Sequence, residues 1–132
     1  MFSVCGRIGI IFGASLMLAS CAASEEYLAR LAEFERTIPT CASDAECEAK
    51  WSAARSWVIA NADFTLRTDS DTRIDTLNAD STRSGTAVQV DRVEGQNGEF
   101  QIVVDVECFA AYGCPSELDM RLDFNRTINA VQ

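Results

Sequence analysis

Histidine is absent from this 132-residue chain. Its absence removes the usual general base near neutral pH and the commonest metal ligand, and with them every histidine-dependent triad. No Lys/Arg cluster occurs either. Nothing therefore gathers the positive charge that a phosphate backbone or an anionic lipid surface requires. Cys-x-x-Cys, the usual form of a redox dithiol, is missing. The apolar run Ile8–Leu18 falls short of the roughly 20 residues that cross a bilayer as a helix. No repeat or low-complexity segment appears, and 132 residues suit one domain at most. About half of the residues are hydrophobic, which argues against disorder along the whole chain.

What is present begins at the N-terminus. Met1–Arg7 carries one positive charge and no acid, "IGIIFGASLML" (Ile8–Leu18) carries no charge, and Ala19 and Ser20 lead to Cys21. A basic start, an apolar middle and a small-residue exit is the layout of a secretory signal, with a buried N-terminal helix as the competing reading. Leu18-Ala19-Ser20-Cys21 resembles a bacterial lipobox. The resemblance covers the export segment alone. It implies removal of residues 1–20, a thioether-linked diacylglycerol on the Cys21 sulfur and an acyl chain on the new amine. Two or more such chains anchor stably where one holds only reversibly. Ala22 rather than Asp follows the cysteine. Likeness to Gram-negative lipoproteins then implies a protein anchored in the outer membrane and facing the periplasm.

Six cysteines are present: Cys5, Cys21, Cys41, Cys47, Cys108 and Cys114. On the lipoprotein reading Cys5 leaves with the signal and Cys21 is acylated. The other four form two groups, "CASDAEC" and "CFAAYGC", each with five residues between its cysteines. An oxidising compartment favours disulfides. Four cysteines allow three connectivities, and the local pairing Cys41–Cys47 with Cys108–Cys114 is the expectation. Zinc is the competing reading, but these gaps exceed the usual knuckle spacing.

Loss of residues 1–20 leaves ten basic and twenty acidic side chains, a formal charge of −10. A basic protein partner would be attracted and nucleic acid repelled, while solubility is the simpler use of such charge.

Along the remaining chain, Tyr27, Leu28, Leu31, Phe34 and Ile38 keep helical spacing after a Ser24 cap, and Pro39 closes that helix. Residues 21–40 therefore read as a lipidated N-terminus and first helix, which sits close to the bilayer unless it is a detached stalk. Residues 41–132 read as a disulfide-stapled α+β domain. Ser43-Asp44-Ala45-Glu46 fits a capping box, and Cys47, Trp51, Ala54 and Val58 make one helical stripe that Trp57 widens. Trp51 and Trp57 read as core, with ligand stacking as the minority use. After Asn61 the period becomes two, in "FTLRT", "TRIDTL", "TAVQVDRV" and "EFQIVVDVEC", with Asn78–Gly85 a loop and Asn97-Gly98 a turn. Residues 116–130 alternate as a strand at Leu118, Met120, Leu122 and Phe124, yet Met120, Phe124 and Ile128 keep helical spacing. A helix is favoured, with Pro115 in its first turn. The expected architecture is a four-stranded antiparallel meander packed on two or three helices.

A second resemblance is weaker. Cys47, Trp51, Ala53, Ala54, Trp57, Val58, Cys108, Gly113, Cys114, Pro115, Phe124 and Asn125 are similar to a pattern in small proteobacterial lipoproteins of uncharacterised function. It implies no activity and names no catalytic residue.

Catalytic and cofactor motifs fail on their own terms. Asp69 and Asp71 match the first EF-hand ligands, but Arg73 and Ile74 occupy positions that need a ligand and a glycine. Asn125-Arg126-Thr127 matches a glycosylation sequon that arises often by chance. Acidic residues are plentiful but no spacing marks two as a hydrolytic pair. The expectation is a non-enzymatic, cofactor-free, lipid-anchored module that binds an envelope protein or serves as structure. A narrower form inhibits a basic cell-wall hydrolase. A carbohydrate-acting hydrolase using two carboxylates is the alternative class.

Overall fold

The computed structural model describes residues 23–77 and 83–132. The export segment, Cys21 and most of the loop expected at Asn78–Gly85 lie outside the described residues.

The first helix, α1, spans Glu25–Arg36. The Ser24 hydroxyl accepts from the Tyr27 N–H at 3.2 Å, and Glu25 and Glu26 sit where the helix dipole favours negative charge. After Pro39 the chain makes a two-residue strand, β1 (Thr40–Cys41), and enters α2 (Asp44–Asn61). Ser43 caps α2 by accepting from the Glu46 N–H. Glu46 reaches back past the cap to the Ala42 N–H at 3.0 Å, one residue beyond a reciprocal capping box. Four strands follow: β2 (Leu66–Asp69), β3 (Arg73–Thr76), β4 (Thr86–Glu94) and β5 (Phe100–Cys108). The β4–β5 hairpin turns through Asn97 and Gly98, both at positive φ, as their residue types allow. The final helix, α3 (Glu117–Asn129), decides the ambiguous tail.

All neighbouring strands are antiparallel, in the order β1-β5-β4-β3-β2. The expected meander is therefore present, but the sheet has five strands rather than four. β1 adds Thr40 opposite Gln101 and Cys41 opposite Phe100 on the edge of β5. Two residues cannot display a period, so nothing in their pattern announces a strand. Pro115 also stands outside α3 rather than in its first turn, because Ser116 takes the capping position and accepts from Asp119.

One face of the sheet supplies Ile74, Val88, Val90, Ile102, Val104 and Val106 to the core. Trp51, Ala54, Trp57 and Val58 of α2 and Met120, Phe124 and Ile128 of α3 cover it. Trp57 meets Phe124 edge to face, with ring centroids 5.2 Å apart. α3 packs against both other helices as well as β5. It therefore buries a wide arc, Leu118 and Leu122 included, which is why its sequence carries two periods at once. Cys41–Cys47 ties β1 to the first turn of α2, and Cys108–Cys114 closes the loop after β5. Closing loops this short stabilises by about 2–2.5 kcal/mol each in the chain-entropy account.

Candidate functional site

Side chains alternate along a strand, so the residues between the core positions point away from the helices. Register aligns them in rows. Asp75, Gln89 and Asp105 lie side by side across β3, β4 and β5, and Arg73, Asp91 and Val103 form the next row. Ala87 and Glu107 pair beyond them. Arg67, from β2, completes a shallow depression of about 100 Å³ lined also by Asp75, Ala87, Gln89, Asp105 and Glu107.

The floor of this depression is an ion pair. Asp75 is only 4 % exposed, and its Oδ2 accepts from Arg67 Nη2 at 2.6 Å. The Arg67 guanidinium, opposed by burial, holds the Asp75 carboxyl below the usual carboxylate range. Thr68, the cross-strand partner of Asp75, adds a weaker pull, yet Asp75 Oδ1 has no well-formed hydrogen bond among the described residues. In the next row, Arg73 Nε and Gln89 Nε2 both donate to Asp91, each at 2.7 Å. Asp105 is met from the far side of the sheet. Arg121 of α3 reaches round the edge of β5 to Asp105 and to the Val106 carbonyl.

The same edge is guarded elsewhere. Ile102 donates its N–H to the Pro39 carbonyl, and the Glu117 carboxylate accepts from the Cys108 N–H at 3.0 Å. A β-edge whose groups are already bonded in this way is a poor template for another strand. The helix-free face is therefore more open to contact than β5's edge. With three acids each matched to an arginine, that face is a lattice of alternating charge. Its depression lies well under the roughly 300–1,000 Å³ of an enclosing small-molecule pocket. The geometry suits a flat contact that seats one side chain.

Residues singled out from the sequence are scattered through the molecule. Cys21 lies outside the described residues. Cys41, Cys47, Cys108 and Cys114 are spent in their local disulfides, which leaves no thiolate for zinc among the described residues. Trp51 and Trp57 are core, with their indole N–H groups donating to the Ser70 carbonyl and to Asp123 Oδ2. Asp69 is held by Arg55, so the acidic turn is structural, with Ser70 closing it through the Arg73 carbonyl. Asn125 of the sequon is 1 % exposed and donates to the Phe34 carbonyl, so the folded domain offers no acceptor there.

The Arg67–Asp75 pair was not legible in the sequence, and neither were two buried polar side chains. Lys50 donates to the Thr40 carbonyl at 2.7 Å and to Glu46, pinning β1 to α2. Asn125 pins α1 to α3. The only hint was period: Lys50 and Asn125 each sit beside a core position of an amphipathic helix. Among the described residues no cluster of three potential ligands could hold a metal ion, and no helix is long and apolar enough to cross a membrane. No protein-family model, no curated protein and no solved structure matches this chain.

Proposed function

We propose that this chain is a lipid-anchored envelope protein, held through Cys21 in the outer membrane and facing the periplasm, whose domain acts as a non-catalytic binding or structural module. The observation that carries the binding role is the helix-free sheet face, where the Arg67–Asp75 pair floors a shallow depression rimmed by Gln89, Asp105 and Glu107. A rigid surface of fixed, alternating charges selects partners by complementarity more than by buried area. Such a face costs little to present and needs no moving parts.

A photo-crosslinking residue at Gln89, in cells, should capture one stoichiometric envelope partner that the same residue at Glu48, on the exposed side of α2, does not. Equal capture from both positions, or none from Gln89, ends the sheet-face reading. Intact mass of the membrane-extracted protein, with and without reductant, reports acylation at Cys21 and the two disulfides together. A second reading has the partner as a basic cell-wall hydrolase, favoured by the −10 charge that remains after residue 20. Lysozyme inhibition at low salt that fades as salt rises supports it, since screening slows charge-steered association. No inhibition at low salt ends it.

A further inference from the structure

Helices α1 and α3 run parallel. Arg30 pairs with Asp119, Glu33 with Arg126, and Thr37 accepts from Asn125 and Asn129, so both sequences ascend together. Their N-termini therefore share one end of the domain. The loop closed by Cys108–Cys114 is at that end too, because Cys108 bonds Glu117 in the first turn of α3. So is the C-terminus of α2, since Asp63 bonds Thr86, the strand partner of Cys108. The opposite end holds the β4–β5 hairpin and β1.

Exposed apolar side chains are not shared evenly between the ends. Among the described residues, five large ones are exposed: Tyr27, Leu28, Ile59, Val93 and Tyr112. Val93 alone belongs to the hairpin end. On α1 the apolar stripe through Leu31 and Phe34 is half-buried against its neighbours, but its continuation at Tyr27 and Leu28 is 48 % and 52 % exposed. Tyr112, in the disulfide loop, is 93 % exposed. Tyrosine, apolar in its ring and polar at its tip, is enriched where water meets lipid.

This end is also where the chain arrives from Cys21. From Cys21 to Glu25, the first residue of α1, is four residues, a reach of at most ~14 Å. α1 is no detached stalk, because Asn125 and Arg126 bind it to α3. An acylated Cys21 would therefore hold Tyr27 and Leu28 within one short tether of the headgroups. We infer that this end of the domain rests on the bilayer, with Tyr27, Leu28 and Tyr112 in the interfacial layer. The inference rests on lipidation of Cys21. The partner is a zwitterionic lipid surface, because Glu25, Glu26, Glu117 and Asp119 ring the same end and would be repelled by anionic headgroups. The nine-residue strands then project the hairpin ~30 Å from the membrane, with the open sheet face turned sideways to the periplasm.

Tryptophan quenching in phosphatidylcholine vesicles carrying brominated chains tests this on the full acylated protein, with the unsubstituted chain and its buried Trp51 and Trp57 as baseline. Tyr112→Trp should lose emission and shift to the blue, whereas Val93→Trp should match the baseline. Equal quenching at both sites, or none at either, on protein whose mass shows an acylated Cys21 overturns the orientation and leaves the anchor standing. A mass showing Cys21 unmodified removes the anchor and this inference with it.

Discussion

Single residues hold the parts of this domain together where apolar contact alone would not. Asn125 is the clearest case. Its Nδ2 donates to the Phe34 carbonyl at 3.0 Å and to Thr37 Oγ1 at 3.2 Å, which satisfies the open C-terminal end of α1 from inside the core. Alanine there removes both of these bonds and leaves a small void, although the Phe34 carbonyl keeps the Thr37 N–H at 3.2 Å. We expect Asn125→Ala to cost about 2 kcal/mol in urea denaturation and to raise amide exchange across α1 before the rest of the domain. Unchanged exchange in α1 would mean that Leu31 and Phe34 suffice to dock it. Gly85 holds a different kind of position. Its φ is +151°, and a Cβ would lie 2.7 Å from both Cβ and Oδ2 of Asp63, whose carboxylate accepts from the Thr86 N–H. Gly85→Ala should therefore destabilise by about 2 kcal/mol, a shift in thermal midpoint of roughly 8 °C for a domain of this size. A smaller loss would show that Asp63 can swing aside.

At the level of elements, the two disulfides do unequal work. Cys41 and Cys47 are each 2 % exposed and belong to the core cluster, whereas the Cys108–Cys114 loop carries solvent-facing Tyr112. Replacing Cys41 and Cys47 together by serine buries two hydroxyls as well as removing a staple. It should cost more than the same change at Cys108 and Cys114, which should lose only about the 2–2.5 kcal/mol of loop closure. Equal losses, measured by chemical denaturation, would mean that the first pair is no better packed than the second. The same contrast separates what the sequence disclosed from what it hid. Strands β2, β4 and β5 and helix α2 were legible because each shows its period, and β3, buried on both sides at Ile74 and Asp75, was legible only from the polar turn before it. β1 was hidden because its two residues owe their conformation to β5 and to the Lys50 ammonium on the Thr40 carbonyl. The α3 pattern was ambiguous, though rightly read as a helix, because a helix wedged between two others buries more than one stripe. The open sheet face was legible as an alternation of polar residues, Gln101, Asp105 and Glu107. Its pairing of Arg67 with Asp75 was not, since that depends on a bulge between Leu66 and Thr68.

Across the whole molecule, charge and pH act in opposite directions. The chain carries a formal −9 at neutral pH and a sequence pI near 4.4. Self-repulsion therefore weakens as pH falls from 7 toward 5, and stability should rise slightly over that interval. Three carboxylates then reverse the trend. Asp75 is held low by Arg67, Glu33 by Arg126 and Glu46 by Lys50 with the Ala42 N–H. Groups whose folded pKa is depressed add stability that is complete above their unfolded values, about 3.9 for Asp and 4.3 for Glu. That stability is lost as pH falls through the lower folded values. The expected profile of urea midpoints is a shallow maximum between about pH 4.5 and 6 and a steep acid limb below about pH 4. Asp75 is the buried member of the set, so it should dominate the limb, while the half-buried Glu33 and Glu46 contribute less through their solvent-screened pairs. Asp75→Asn keeps the shape of the side chain and removes its titration. It should lower stability at pH 7 and flatten the acid limb, so that the two curves converge at the acid end of that limb. Parallel curves offset by a constant amount would show that Asp75 acts through packing alone, and that the charge flooring the sheet-face depression makes no contribution to the fold.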